Sequence, residues 1–309
     1  MPIKIPFDLP ARKILEEEGV LLIKDTDAIR QDIRPLKIAL LNLMPQKIKT
    51  ETQIARLLGG SPLQIEMTLV APSEYVPKNT PREHMLDFYH SFTQIKKNKY
   101  DGMIITGAPV ERLDFKEVLY WDELRKIFDW AETNVFCLFN LCWGAQAALN
   151  HFYGIPKYNL TEKCFGVFDH VVLNHTSLLT RGLNDKINVP VSRFTENRKN
   201  DFLEYNNLNI LIDSKVSGLC LIHDTKLRHV HMFNHLEYDS NTLEDEYKRD
   251  LEKGHKIKPP KNYFPNNDPQ CEPINTWRVN AHLLFGNWLN YIYQSTPFNL
   301  NKVGEPIAK

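Results

Sequence analysis

Residues 134–154, NVFCLFNLCWGAQAALNHFYG, decide the fold of this chain. The mostly apolar run 134–141 is typical of a strand that is buried on both faces of a parallel sheet. Residues 144–153 predict a helix, which Gly154 ends. Cys142 stands between the two elements, where a tight strand–nucleophile–helix turn lifts a side chain clear of the sheet.

Strands and helices also alternate upstream of this stretch. Residues 37–43 and 101–106 are apolar runs that predict buried strands. Residues 50–58 predict a helix, in which Thr50 and Gln53 have the spacing of a capping box. The alternation predicts an α/β fold, namely a flavodoxin-like parallel sheet with helices on both faces.

The last third of the chain has shorter apolar runs. The elements predicted there are strands at 209–212, 218–223 and 229–234 and helices near 243–253 and at 277–293. The helices are C-terminal additions to the sheet.

The length of the chain allows more than one division into domains. With 309 residues, two domains of about 150 residues and one large α/β domain are equally allowed. Residues 1–35 are polar and interrupted by proline, so we expect an N-terminal arm there. A single α/β domain at 36–296 and a C-terminal tail at 297–309 complete the prediction.

Charge and composition exclude several classes of protein. Lys and Arg number 38, as do Asp and Glu, and a formal charge of 0 argues against a nucleic-acid partner. No run approaches the roughly 18 apolar residues that a membrane span needs. The N-terminus lacks the apolar segment of a secretory signal. The five cysteines lack CxxC spacing, which argues against a disulfide framework and favours a cytoplasmic location.

Cys142 is the strongest candidate for a chemical role. The carboxyl ends of parallel strands meet at one edge of a sheet, where open α/β sheets bind their ligands. A helix N-terminus beside the sulfur favours the thiolate, and its N–H groups can bind an oxyanion. A buried structural cysteine is the alternative, and Cys137, inside the strand, is expected to be one.

A base for Cys142 is available in the segment 229–237, HVHMFNHLE. On a strand, alternate residues face the same side, so His235 and Glu237 point together where the segment leaves the sheet. The carboxylate could then orient the imidazole toward the thiol. One alternative is a half-buried structural histidine, and another is a zinc site that also uses His229 and His231.

Lys47 lies at a strand-to-helix turn beside the same edge, where a lysine can hold a carboxylate or phosphate. Lysines in loops are more often solvated. Taken alone, Lys163, Ser192 and Arg249 are typical of surface positions.

The motifs of the chain, in their order and spacing, resemble those of the homoserine O-acyltransferases of methionine biosynthesis. The matching segments are MPIKIP at 1–6, LPAR at 9–12, DIRPLKIALLNLMPQKIKTETQ at 32–53, SPLQIE at 61–66, DGMIITGAPVE at 101–111, LCWGAQAAL at 141–149, HFYGIPKY at 151–158, KCFGVF at 163–168, VPVSRFTE at 189–196, FNHLEYD at 233–239 and WRVNAHLLFGNWLNYIYQ at 277–294.

The resemblance implies a class I glutamine-amidotransferase-like α/β fold with a Cys-His-Glu centre. It implies that Cys142 forms the acyl thioester, His235 is the general base and Glu237 orients it. The residues that the resemblance implies at or near the substrate are Lys163, Ser192, Arg249, Lys47 and Trp143.

The implied reaction transfers an acyl group from acyl-coenzyme A to the hydroxyl of L-homoserine in two half-reactions. Acyl-coenzyme A is a substrate here, so no cofactor and no metal are expected. A homodimer is expected as well. A glutamine amidotransferase or cysteine hydrolase is the alternative from another class, because the Cys-His-Glu centre alone allows it.

Glu111 distinguishes the possible acyl groups. Relatives that transfer succinyl usually have glycine here, and a glutamate would fill the space of the succinyl tail. Its charge would also oppose the succinyl carboxylate, at a cost of about 4 kcal/mol for charges about 4 Å apart at an effective dielectric near 20. The sequence therefore favours an acetyltransferase over a succinyltransferase.

Overall fold

The computed structural model describes residues 3–6, 8–18, 22–23, 34–73 and 80–305. Within them the strands are β1 (Ile3–Lys4), β2 (Leu22–Ile23), β3 (Leu36–Leu41), β4 (Ile65–Ala71), β5 (Tyr89–Ser91), β6 (Tyr100–Ile105), β7 (Val135–Leu141), β8 (Tyr158–Val172), β9 (Lys186–Glu196), β10 (Leu208–Ser214), β11 (Gly218–Asp224) and β12 (His229–Met232). The α-helices are α1 (Ala11–Glu17), α2 (Lys47–Gly59), α3 (Arg82–Phe88), α4 (Phe92–Ile95), α5 (Trp121–Asn134), α6 (Trp143–Tyr153), α7 (Thr242–Glu252) and α8 (Arg278–Ser295).

The strands form one sheet with two halves. In the parallel half the order is β2-β1-β4-β3-β6-β7-β12, with β5 paired to β4. The antiparallel half continues from β12 in the order β11-β10-β8-β9. The predicted α/β class is confirmed.

Alternate residues of the central strands face two different hydrophobic cores. On β3, Ile38 and Leu40 pack with Trp288 of α8, while Ala39 and Leu41 face the core that holds Phe128 of α5. Strands covered by helices on both faces have this pattern, because successive side chains point to opposite sides. The predicted two-sided cover of helices is therefore present.

The start of α2 differs from the sequence-based expectation. The helix begins at Lys47 with Gln46 as its N-cap, so Thr50 lies inside it and the predicted capping box is wrong. The Thr50 hydroxyl donates to the Gln46 carbonyl at 3.3 Å. Threonine within a helix commonly makes this bond to the residue four positions earlier, which is why the Thr–Gln spacing was misleading.

Strands β8 and β9 were not predicted. They form a long antiparallel hairpin whose first part is polar, for example TEKC at 161–164. Apolar periodicity is weak there, because that part of β8 is largely not buried. The hairpin lies at the edge of the antiparallel half and carries residues that reach the candidate site.

Part of the predicted N-terminal arm packs on the sheet. Strand β1 pairs with β4 through Ile3 and Ile65, and Leu15 of α1 is fully buried. The division into arm, domain and tail stays a prediction. Within the residues described, no helix is long and apolar enough to cross a membrane.

Candidate active site

Cys142 lies in a strained turn between β7 and α6. Its backbone has φ 49° and ψ −118°, a conformation that residues other than glycine rarely adopt. The Cys142 N–H donates to the Met232 carbonyl at 2.7 Å, and the Cys142 carbonyl accepts from Ala145 at 3.0 Å. These bonds hold the strained residue and leave its side chain at the carboxyl edge of the sheet.

Glycine at position 144 lets α6 approach the sheet. A Cβ on Gly144 would lie 2.7 Å from the Thr106 carbonyl oxygen and 2.9 Å from that of Ile105. Because neither backbone group can move easily, a larger residue would push the helix, and Cys142 with it, out of position.

The two cysteines of this region have different surroundings. Cys137 is fully buried in β7, where the Trp288 indole N–H lies 3.2 Å from its sulfur. Burial raises the pKa of the Cys137 thiol to about 12. Cys142 is partly exposed and lines a cavity. Only the second environment suits a nucleophile.

His235 is oriented by Glu237. Its Nδ1 lies 2.7 Å from a Glu237 carboxylate oxygen, and the backbone N–H of His235 donates to the Pro190 carbonyl at 2.9 Å. Burial alone would lower the pKa of His235. The Glu237 carboxylate and the Cys142 sulfur, through charge and hydrogen bonds, raise that pKa well above the usual value. The arrangement therefore favours a protonated His235 imidazole beside the Glu237 carboxylate.

The Tyr238 ring packs on one face of the His235 imidazole. Its ring is stacked on the His235 imidazole with centroids 4.2 Å apart and planes inclined by 10°. Burial raises the pKa of Tyr238, and nearby carboxylates raise it further. The ring thereby shields His235 and limits its rotation.

The structure does not bring His229 and His231 to Glu237, as the predicted zinc site would require. His229 and His231 instead approach Asp224, and the potential ligand atoms of these three residues lie within 4.8 Å of one another. They are the candidate metal group among the described residues, and all three are buried. Burial lowers the pKa of His231 to about 4, so its ring is neutral near pH 7.

The residues implied as substrate contacts meet around helix α7. The Lys163 ammonium donates to Glu246 at 2.6 Å, and the Ser192 hydroxyl donates to the same carboxylate oxygen at 2.9 Å. Arg249 donates to Asp250 at 2.8 Å. Charges of both signs therefore face one another in this cluster, as a receptor for a zwitterion requires.

Glu111 points into the same cavity. Its carboxylate accepts from the Phe194 N–H at 2.9 Å and from the Thr195 hydroxyl at 3.1 Å. Burial raises the pKa of Glu111, while these hydrogen bonds and the charges of His235 and Lys163 oppose the rise. The carboxylate is thus held in place, close to the Cys142 region.

The cavity has a volume of about 920 Å³ and joins these groups. Its lining residues include Glu111, Cys142, Lys163, Ser192, His235 and Arg249. Glu237 lies behind His235 and does not line the cavity.

Two predicted residues lie behind the cavity wall. Lys47 is 1% exposed and its ammonium donates to the Asn42 carbonyl. Burial lowers the pKa of Lys47 to about 8, and Glu51 opposes the decrease. The Trp143 side chain is fully buried against Phe115. Neither is among the cavity-lining residues, so any contribution of Trp143 comes from its backbone.

Sequence reasoning missed several residues of the cavity. Glu246 and Asp250 were not singled out, although Glu246, Arg249 and Asp250 have the i, i+3, i+4 spacing of one helix face. Tyr238 and Phe194 were also missed. Aromatic residues in these contexts are usual in a core, so the sequence carries little to distinguish them.

Comparison with known proteins identifies the family. The sequence model described as homoserine O-succinyltransferase matches residues 2–298. The chain belongs to this family. It is 55% identical over 305 residues to a homoserine O-acetyltransferase of Hyphomonas neptunium, which covers 99% of this chain and 100% of that protein. Identity to a homoserine O-acetyltransferase of Sinorhizobium fredii is 56% over 304 residues, or 98% of this chain and 99% of that one.

Solved structures show the same fold at low identity. A glutamine amidotransferase of Thermotoga maritima matches with a TM-score of 0.56 at 12% identity, covering 85% of this chain and 100% of that one. A putative GMP synthase protein of Thermoplasma acidophilum has a TM-score of 0.51 at 14% identity, with 85% and 100% coverage. The resemblance to the homoserine acyltransferases and the class I glutamine-amidotransferase-like fold are both confirmed.

Proposed function

We propose that this member of the family is a homoserine O-acetyltransferase, which transfers acetyl from acetyl-coenzyme A to the hydroxyl of L-homoserine in methionine biosynthesis. The observation that carries the proposal is Cys142 in its strained turn, facing the hydrogen-bonded His235 and Glu237. The names of the relatives support the substrates.

In the first half-reaction the Cys142 sulfur attacks the thioester carbon of the donor. A new C–S bond to Cys142 forms as the C–S bond to coenzyme A breaks. The His235 imidazolium gives its proton to the departing sulfur, so free coenzyme A leaves as a thiol. The backbone N–H of Trp143, at the first position of α6, can stabilise the oxyanion.

In the second half-reaction the now neutral His235 takes the proton of the homoserine hydroxyl. The alcohol oxygen attacks the acyl carbon, a C–O bond forms, and the bond to Cys142 breaks. Cys142 leaves as a thiolate beside the His235 imidazolium, which restores the starting pair. Glu237 stabilises the imidazolium in both halves.

The amino-acid end of homoserine needs charges of both signs. We propose that Arg249 and Lys163 bind its carboxylate, since Arg offers a bidentate fork and Lys a compact charge. Ser192 lies within the same cluster and can donate a further hydrogen bond. These side chains now bond to acids of α7, which homoserine would partly replace.

Acetyl is favoured over succinyl by Glu111. Its carboxylate is fixed by two hydrogen bonds and lines the cavity with Cys142. A succinyl tail would meet both its bulk and its charge. Succinyl remains the second candidate, because the family is described by that reaction.

The test is to measure kcat/KM for acetyl- and succinyl-coenzyme A at saturating L-homoserine, from the release of free thiol and the mass of the product. We expect O-acetylhomoserine and a preference for acetyl. A preference for succinyl would overturn the acetyl assignment, and glutamine hydrolysis without acyl transfer would overturn the whole proposal. A homodimer and a cytoplasmic location remain predictions.

A further inference from the structure

A basic segment borders the candidate cavity. Residues 255–261, HKIKPPK, form what we call the basic strap, and the cavity lining includes its lysines at 256, 258 and 261. All three lysines are exposed. The strap thus presents cations at the solvent side of the cavity, whereas the side chain of Lys163 is only 9% exposed.

The strap is attached to strand β8. The Lys261 N–H donates to the Phe165 carbonyl at 3.0 Å, and the Val167 N–H donates to the Lys261 carbonyl at 2.8 Å. Gly166 between them has φ 145°, and a Cβ there would overlap the Lys261 backbone. Pro259 and Pro260 restrict the strap further, because the proline ring fixes φ. The lysines therefore project from a held backbone.

The cations of the strap are poorly neutralised. Lys258 pairs with Glu162 at 3.3 Å, but the two side chains are 80% and 73% exposed, and such pairs contribute little. No ion pair involves Lys256 or Lys261 among the described residues. By contrast, Lys163 and Arg249, which also line the cavity, pair with the carboxylates of Glu246 and Asp250.

Arg112 adds a further cation to the cavity lining. Its guanidinium lies 3.7 Å from the centroid of the Phe194 ring, which holds it over the cavity. The chain as a whole has a formal charge of 0, so this excess of positive charge is local. A local excess of unpaired cations is what a polyanionic ligand requires.

We infer that the basic strap and Arg112 bind the phosphates of a nucleotide carried by the thioester donor. The inference rests on the proposed function, since coenzyme A ends in a 3′-phosphorylated ADP whereas its reactive sulfur lies at the other end. Lysine suits phosphate as a compact charge with three donors. With the nucleotide at the strap, the donor's thioester end points into the cavity toward Cys142.

Comparison of donors isolates this contribution. The measurement is kcat/KM for acetyl-coenzyme A, for its 3′-dephospho form and for S-acetylpantetheine, which lacks the nucleotide. Single variants Lys256→Gln, Lys258→Gln and Lys261→Gln should each lower the ratio of acetyl-coenzyme A to S-acetylpantetheine, by roughly tenfold for a lost charge-assisted hydrogen bond. Lys226→Gln, an exposed lysine in the turn between β11 and β12, is the matched control and should keep the wild-type ratio.

Glu162→Gln should change the ratio in the opposite direction, because it removes the carboxylate that pairs with Lys258. With the 3′-dephospho donor, the decrease in kcat/KM caused by one of the three Lys→Gln substitutions should be smaller than with acetyl-coenzyme A. The other two substitutions should have nearly the same effect with both donors. Equal losses with acetyl-coenzyme A and S-acetylpantetheine in the three strap variants would overturn the assignment.

Binding of adenosine 3′,5′-bisphosphate, measured by calorimetry, separates this inference from the proposed function. The wild type should bind it, and each strap variant should bind it more weakly. Binding that the variants leave unchanged, or no binding at all, contradicts the strap as a phosphate site. Weakened binding in the variants, together with no acyl transfer from any donor, would retain the phosphate site and overturn the proposed reaction.

Discussion

The two halves of the sheet contribute to the cavity in different ways. The parallel half supplies Cys142 from a strand end, whereas the antiparallel half supplies Lys163 and Ser192 from within strands β8 and β9. Strand β12 joins the halves, parallel to β7 and antiparallel to β11, and His235 follows it. The proposed reactive groups thus come from turns at one edge, while Lys163 and Ser192, which we propose bind the substrate, come from a hairpin beside it.

This difference predicts that changes in the two regions affect reaction rate and substrate preference separately. Changes at the turn of the parallel half should stop the chemistry with every substrate. Changes around β8, β9 and α7 should alter which substrate is used, as should changes at Glu111, which follows β6 but whose carboxylate is hydrogen-bonded to Phe194 and Thr195 of β9.

The largest effect is expected for Cys142→Ala. We expect loss of acyl transfer by at least about 10⁴-fold, because the variant has no thiol to acylate. Cys137→Ala is the matched control, with activity retained and unfolding free energy lower by about 1–2 kcal/mol from the lost packing of one buried sulfur. Rates and thermal unfolding of both variants distinguish the two roles. An inactive, folded Cys137→Ala beside an active Cys142→Ala would reverse them.

His235→Asn should slow both half-reactions by about 10²–10⁴-fold, the usual cost of losing a general acid or base. Glu237→Gln should cost less, because His235 remains and only its orienting carboxylate changes. Single-turnover acylation and deacylation rates check both variants. A Glu237→Gln variant with unchanged acylation and deacylation rates would show that the Glu237 carboxylate has only a structural role.

Glu111→Gly should shift the donor preference toward succinyl-coenzyme A. Removing bulk and one negative charge should change the ratio of kcat/KM values by roughly two to three orders of magnitude. Glu111→Asp should shift the ratio less, since it keeps the charge. The decisive comparison is the ratio for both donors in wild type and variants. An unchanged ratio in Glu111→Gly would mean that this side chain does not contact the acyl group.

Arg249→Ala should raise the KM for homoserine by about tenfold or more, which is the scale of a lost charge-assisted hydrogen bond. The KM for acetyl-coenzyme A should change less. Lys248→Ala, which removes the exposed neighbouring charge, serves as control. Equal rises in both KM values for Arg249→Ala would place its guanidinium outside the acceptor site.

Another prediction concerns stability in the antiparallel half. Burial lowers the pKa of His170 to about 4, and its Nε2 lies 2.8 Å from the Asn234 amide nitrogen, beside His235. Below pH 6.5 the unfolded chain binds a proton that the folded chain excludes. Unfolding free energy should therefore fall as the pH decreases from about 6.5 to 4, by up to about 1.4 kcal/mol per pH unit from this group.

Urea unfolding at several pH values measures this slope. His170→Gln should make the slope shallower, because glutamine has no proton to gain in this range. His231, whose pKa burial also lowers to about 4, contributes the same sign and remains in the variant. An identical slope in His170→Gln would show that the ring is not neutral in the folded state.

The parallel half could be predicted from its sequence to a useful degree. Strand β7, helix α6 and the elbow at Cys142 follow from one apolar run with a helix behind it. His235 and Glu237 were singled out on the expectation that strand alternation continues through 229–237, whereas β12 ends at Met232 and both residues lie in the turn that follows it. These patterns involve residues close together in the sequence, so they can be recognised without knowledge of the tertiary structure.

The hairpin and its partners could not be predicted in this way. Strand β8 begins with a polar segment, which gives little apolar periodicity. Lys163 is recognisable as a cavity residue only through its contact with Glu246 of α7, which lies 83 residues later in the chain. Lys47 shows the opposite case, since its place at a strand end suggested exposure while its ammonium bonds inward to Asn42. Long-range packing determines both outcomes.

The most direct test of the account is the mass of the peptide that contains Cys142 after incubation with acetyl-coenzyme A alone. We expect that one acetyl group appears on Cys142, that one equivalent of free coenzyme A is released, and that L-homoserine removes the label as O-acetylhomoserine. Transfer to homoserine without any labelled Cys142 at single-turnover times, or a label on another residue, would contradict the thioester mechanism.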